Sequence, residues 1–160
     1  MGKTVKPRRK RRARGIVRER VAHKYGSKSS TLAIASHAAP LKLIERINKG
    51  LPYGELEHLR TELDEPMEAL AQQLSISRST LQRRKAERRL SPEESDRLMR
   101  FWKLIRQAAD LFGNVERGRA WLKHPQYGLG GVIPLDFAKT EVGAREVEDL
   151  LGRIKYGVYS

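Results

Sequence analysis

The segment Leu70-Ala71-Gln72-Gln73-Leu74-Ser75-Ile76-Ser77-Arg78-Ser79-Thr80-Leu81 leaves this chain the least freedom. Two helices that cross steeply need a small residue where they touch. Ala71 supplies it, and Leu70, Leu74, Ile76 and Leu81 are the apolar contacts around it. Ser77 is placed to cap the second helix through its hydroxyl, and Ile76 to staple onto Leu81 four positions into that helix. This is the pattern of a helix-turn-helix, whose second helix lies in the DNA major groove. With Leu81 turned inward, a step of about 100° per residue puts Ser79, Gln82, Arg83 and Ala86 outward. Gln82 suits bidentate contact with adenine, and Arg83 contact with guanine or phosphate. Arg78, Arg84, Lys85, Arg88 and Arg89 flank this face and can grip the DNA backbone. The candidate DNA-binding residues are therefore Arg78, Ser79, Gln82, Arg83, Lys85 and Arg88. Two positions depart from the common pattern. Ser75 stands where the turn often has glycine, the residue that adopts left-handed backbone most cheaply. Arg84 occupies a usually apolar position. The alternative is a helical unit that packs but reads nothing, its arginines merely solvated.

The rest of the chain is also written in helical spacing, and no stretch alternates as a strand would. Residues 31–47 predict an amphipathic helix divided at Pro40, and Asn48-Lys49-Gly50-Leu51-Pro52 a stop and a turn. Short helices are expected over Glu55–Leu59, over 66–74 opening at Pro66, and over 78–88. Ser91-Pro92-Glu93-Glu94 has the hydroxyl, proline and glutamate of a capping box opening a longer helix. That helix has an apolar stripe of Leu98, Trp102, Ile105, Ala109 and Phe112. Gly113-Asn114 ends it and starts another, with Ala120, Trp121 and Leu122 as its bulk. Residues 125–134 read as a loop, and a final helix covers about 141–156. The expected fold is all-α: a flexible basic arm over 1–40, a helix-turn-helix and dimerisation region over 41–90, and a small helical domain over 91–160. Leu90-Ser91-Pro92 offers no flexible linker between the last two.

Charge is placed unevenly. Residues 1–30 hold 12 Lys/Arg against the single acid Glu19, a net of +11 out of +14 for the whole chain. Such an arm condenses on polyanions by counterion release, whatever their sequence. A solvated tail is the alternative. There is no cysteine, so disulfides and thiolate zinc sites are excluded, which suits a reducing cytoplasm. No apolar run reaches the roughly 18 residues of a membrane span. His23, His37, His58 and His124 are scattered without metal-ligand spacing. Glu93, Glu94 and Asp96 sit in a helix's first turn, where acids favour the macrodipole. Leu129-Gly130-Gly131 lacks the strand-loop-helix context of a phosphate cradle and reads as a closely packing turn. These features point to a binding protein with no catalytic residues, no metal and no cofactor.

Several further stretches carry a resemblance when taken in order: Gly50-Leu51-Pro52; Ser79-Thr80-Leu81-Gln82-Arg83-Arg84-Lys85; Leu90-Ser91-Pro92-Glu93-Glu94-Ser95-Asp96-Arg97-Leu98; Ala120-Trp121-Leu122 with Pro125; Leu129-Gly130-Gly131 to Pro134-Leu135; Thr140-Glu141-Val142-Gly143-Ala144; and Val147-Glu148-Asp149-Leu150-Leu151-Gly152-Arg153-Ile154, followed by Gly157-Val158-Tyr159-Ser160. Over roughly residues 41–160 the chain resembles the Xre/ParS/MbcA antitoxins. The resemblance implies a bacterial type II toxin–antitoxin system. Its toxin would be of the RES type, which consumes NAD, or a related ADP-ribosyltransferase. It further implies a homodimer that represses its own operon by binding operator DNA, and a C-terminal end placed at the toxin's active site. The toxin-binding residues would be Leu150, Arg153, Ile154, Gly157, Val158, Tyr159 and Ser160. A physical reading agrees: a short tail after a helix frays unless it docks, and a thin apolar tail ending in a carboxylate can enter a nucleotide-sized cleft. The alternatives are that Val158 and Tyr159 fold onto the chain's own core, or that the chain is a stand-alone regulator whose C-terminal domain only dimerises.

Overall fold

The structure, a computed structural model, describes residues 40–158. The expected basic arm and the last two residues of the tail, Tyr159 and Ser160, lie outside the described residues, as does the stretch 31–39 of the first expected helix. Helix α1 is described over Pro40–Asn48, the C-terminal part of the first expected helix. There follow α2 (Tyr53–Leu63), α3 (Met67–Gln73), α4 (Arg78–Glu87), α5 (Pro92–Phe112), α6 (Val115–Lys123), a 3₁₀ turn (Tyr127–Leu129), α7 (Pro134–Phe137) and α8 (Glu141–Tyr156). The only strand-like pairings among the described residues are the isolated bridges Pro52–Arg89 and Gln126–Val132. The fold is all-α, and none of the described helices is long and apolar enough to cross a membrane.

Helix α2 is longer than its expected core of Glu55–Leu59. It buries Tyr53, Leu56, Leu59 and Leu63, one side of a helix. Its ends escaped notice because neither carries a familiar signal. Pro52 at the N-cap makes no side-chain cap, and Asp64, not glycine, takes the left-handed C-cap position (φ 51°). Pro66 is the N-cap of α3, one residue ahead of its expected first-turn place. Between α3 and α4 the turn is made by Ser75 in left-handed backbone (φ 57°), so the departure from glycine leaves the turn geometry intact.

Helix α5 carries the capping box: the Ser91 hydroxyl accepts from Glu94 N, and the Glu94 carboxylate accepts from Ser91 N at 2.7 Å. Its buried side is wider than the expected stripe, because Phe101, Leu104 and Ala108 join Leu98, Trp102 and Ile105. Gly113 (φ 90°) stops the helix, and Asn114 caps α6 through a bond from Arg117 N. Gly118 lets α6 press onto the α5 backbone, where a Cβ would lie 2.6 Å from Ala109 N. The expected loop 125–134 runs directly into a short helix, α7, with Pro134 in its first turn. Helix α8 matches its expected span, capped by Thr140.

One cluster of buried side chains runs from Leu51 through Leu70, Leu81 and Leu98 to Leu135 and Leu151, so the helix-turn-helix and the C-terminal helices share a core. A short backbone seam ties the two together. Leu90 N donates to Leu51 O at 2.8 Å, Tyr53 N donates to Arg88 O at 3.0 Å, and Leu51 N donates to the buried Ser95 hydroxyl at 2.8 Å. The chain entering α2 is thus clamped to the chain leaving α4.

Candidate nucleic-acid and partner-binding surfaces

Helix α4 exists because its first turn is capped and its inner side is apolar. Thr80 N donates to the Ser77 hydroxyl at 3.2 Å, and Ile76 and Leu81 are both buried. The remaining surface is polar. Arg78, Ser79, Gln82, Arg83 and Lys85 are all exposed, on an arc of about 160° around the helix axis. Arg88 is exposed too, but it is the left-handed C-cap (φ 55°) and stands past the helix end. Six candidate residues are therefore brought to one end of the molecule, with the glutamine and serine flanked by cations.

Two of the flanking arginines are spent elsewhere. Arg84 points inward: its Nε donates to Glu94 at 2.8 Å and its Nη1 to Glu87 at 2.7 Å. Those hydrogen bonds, to Glu87 first and then to Glu94, hold the guanidinium's pKa above its ordinary value. Arg84 thus answers the question raised by its usually apolar position. Its partner Glu94 is itself buried and is the capping carboxylate of α5, so one ion pair joins α4 to α5. Arg89 donates to Lys49 O and Gly50 O, both at 3.0 Å, and belongs to the seam. Arg78, Arg83, Lys85 and Arg88 are the exposed candidate cations on or beside the outer face of α4. The neighbouring carboxyl of Glu93 is held below the usual range by its own backbone N–H and by the Ser91 hydroxyl, as first-turn acids are.

At the other terminus, α8 packs against α5, α7 and the 3₁₀ turn. Val147 and Leu151 are buried, whereas Leu150, Arg153 and Ile154 are half-buried. Leu150, one of the expected toxin-binding residues, also packs within the chain. It lies under the glycine-rich loop, where a Cβ on Gly128 would sit 2.7 Å from its Cδ1. The helix ends at Gly157 (φ 68°), with Gly157 N donating to Ile154 O and Val158 N to Arg153 O at 3.0 Å. This pair of bonds turns the chain off the helix axis in a Schellman motif. Val158 is left 55% exposed. Sequence reasoning passed over Tyr156, 75% exposed at the same end, with the Lys155 ammonium 5.8 Å from its ring centroid. Among the described residues no group of three or more His, Cys, Asp or Glu can hold a metal ion. The Nδ1 of His124 is engaged with Ala120 O at 2.6 Å.

Comparison with known proteins gives these surfaces a context. Residues 42–101 match the antitoxin Xre-like helix-turn-helix domain. Residues 107–157 match the antitoxin Xre/MbcA/ParS C-terminal toxin-binding domain. An antitoxin Xre of Yersinia enterocolitica is 36% identical over 121 residues, covering 74% of this chain and 81% of the relative. An antitoxin Xre of Photorhabdus laumondii is 33% identical over 129 residues, 80% of each chain. A Prs ADP-ribosylating antitoxin of a Sphingobium species is 28% identical over 133 residues, 77% of this chain and 84% of the relative. With a helix-turn-helix followed by a toxin-binding domain, and relatives of this identity along most of its length, the chain belongs to the Xre/MbcA/ParS antitoxin family.

Proposed function

We propose that this chain neutralises a RES-type toxin that degrades NAD or transfers ADP-ribose, by placing the segment after α8 in the toxin's active site. The same chain binds its own operator as a homodimer through α4 and represses the operon. The observation that carries the first part is the exit at Gly157. The backbone leaves α8 by a defined turn, and Val158 stands exposed at the end of a domain of toxin-binding type. A narrow segment of this kind fits a nucleotide-sized cleft better than a flat protein face would. The relative named for ADP-ribosylation supports the chemistry assigned to the toxin. The protein acts by occupancy and needs no catalytic residue or cofactor of its own. Leu150, Arg153 and Ile154 shape the base of the segment, and Val158, Tyr159 and Ser160 are its inserted part.

Co-expression with the toxin encoded beside this chain tests the reading. The two are expected to co-purify, and cells are expected to keep their NAD and grow. A neighbour that remains toxic and elutes alone overturns the antitoxin role and leaves a stand-alone regulator.

Operator binding rests on α4, and Arg83→Ala is the informative change. Arg83 is exposed and outward, so its removal leaves the fold intact while deleting a base or phosphate contact. Operator affinity is expected to fall by about 10- to 100-fold, with altered base preference if Arg83 reads guanine. Titrating operator and random duplexes at fixed salt checks this. Equal loss on both duplexes makes Arg83 a phosphate contact, and no loss on either removes it from the interface.

A further inference from the structure

The loop between α6 and α7 has no part in the reading above, yet it is built to hold one side chain outward. Gln126 N donates to Val132 O at 3.1 Å, Gly131 N to Gln126 O at 2.9 Å, and Gly130 N to Tyr127 O at 3.0 Å. The Gln126 side-chain amide donates to Trp121 O and His124 O, both at 2.9 Å. Leu129 plugs the loop into the core at 7% exposure, while its neighbour Tyr127 is 100% exposed. The backbone is thus ordered around a phenol ring that contributes nothing to the fold.

The position of the loop matters as much. Gly128 lies against Leu150, and Leu150, Arg153, Ile154 and Gly157 recur at the spacing of one helix face. The loop therefore leans on the face along which α8 leaves the body. Leu150 and Gly157 are about 10 Å apart along the axis. A protein that takes the segment after Gly157 meets this loop beside it. The matched toxin-binding domain, residues 107–157, contains the loop and α8 up to Gly157.

We propose that Tyr127 is a second anchor for the toxin, inserted into an apolar pocket on the toxin's surface next to the cleft that receives the segment after α8. This rests on the antitoxin reading. A tyrosine on a rigid mount buries a large ring on binding and loses little freedom in doing so, which is why tyrosine recurs at the energetic centre of interfaces. Val132, 39% exposed on the same loop, extends the apolar contact.

The test uses the full chain and the toxin encoded beside it, made inactive by substitution. Binding is measured for the unaltered chain, Tyr127→Ala, Tyr127→Phe, Val142→Ala, and a deletion of residues 158–160. Val142 is the control: it is 73% exposed near the start of α8, about 12 Å along the helix axis from Leu150. Tyr127→Ala is expected to weaken toxin binding by about 10- to 100-fold with an unchanged unfolding temperature. Tyr127→Phe is expected to stay within about 3-fold, and Val142→Ala within about 2-fold, of the unaltered chain. Toxin binding by Tyr127→Ala at full strength overturns the proposal. So does a change confined to self-association, which would assign the ring to a second copy. If the deletion weakens binding and Tyr127→Ala does not, the loop contact fails while the antitoxin reading stands. If the unaltered chain does not bind the toxin, both fall.

Discussion

Replacing Gly50 with alanine is expected to destabilise the protein by about 3–5 kcal/mol, more than any other single methyl group added to a loop here. Two effects add. Gly50 has φ 81°, which an L side chain adopts only with strain, and a Cβ there would overlap the carbonyl oxygen of Leu90. That carbonyl cannot retreat easily. Leu90 N is bonded to Leu51 O, Leu51 N to the Ser95 hydroxyl, and the Arg89 guanidinium to the carbonyls of Lys49 and Gly50. A methyl group would have to open the seam that clamps the start of α2 to the end of α4. The unfolding temperature should fall by about 10 °C or more for a domain of this size. Gly130→Ala is the matched comparison. Its φ is 66°, but nothing lies within 4 Å of the added Cβ, so only the backbone term, about 1 kcal/mol, remains. Thermal unfolding of both variants checks the difference. Equal losses would mean that the contact with Leu90 relaxes freely.

The seam and the Arg84–Glu94 pair act on the same junction. One joins backbone to backbone, and the other joins α4 to the cap of α5. Because α5 also packs against α6 and α8, the orientation of the exposed α4 side chains is tied to the toxin-binding domain. A buried pair of this kind adds little net stability, since desolvation offsets the Coulombic gain. What it supplies is directional: Arg84 Nε and Nη1 bond at the same time to Glu94 on α5 and Glu87 on α4.

Features written in neighbouring residues could be read before the fold was known. The Ser77 cap, the Ser91–Glu94 box and the span of α8 between Thr140 and Gly157 rest on side chains a few positions apart, and each formed as expected. The outward set on α4 follows from the same helical arithmetic. What stayed hidden depends on partners distant in sequence. Gly50 is legible as part of a turn, and Gly143 only as a family motif letter. Their physical reason, contact with the carbonyls of Leu90 and Phe137, lies 40 and six residues away. Arg84 was counted as a backbone-gripping cation because its partner Glu94 is ten residues on, across a helix boundary. The packing of Gly128 against Leu150 is likewise announced by nothing local. Helix α7, just beyond the expected loop 125–134, has no sequence signature because four residues with no side-chain cap carry no periodic signal.

Deleting residues 158–160 while keeping Gly157 is expected to abolish toxin neutralisation and leave operator binding within about 2-fold. The cut falls after the left-handed cap, so α8 keeps its stop, and the exposed Val158 takes little burial with it. The deletion should therefore cost about 1 kcal/mol of stability or less, as surface changes do. Helix α4 is unaffected, because its packing partner in the helix-turn-helix is α3 and the tail leaves from α8. If the segment fills the toxin's active site, its loss removes the tightest part of the interface, and affinity should fall by about 100-fold or more. Residual binding through Tyr127 and the base of α8 would then hold the toxin without stopping its chemistry. Two assays separate these outcomes: pull-down of the toxin, and NAD consumption in the presence of the shortened chain. A shortened chain that still binds but no longer inhibits identifies the segment as the inhibitory element. Full inhibition by the shortened chain instead assigns neutralisation to the body of the domain, with the cleft blocked sterically from its rim.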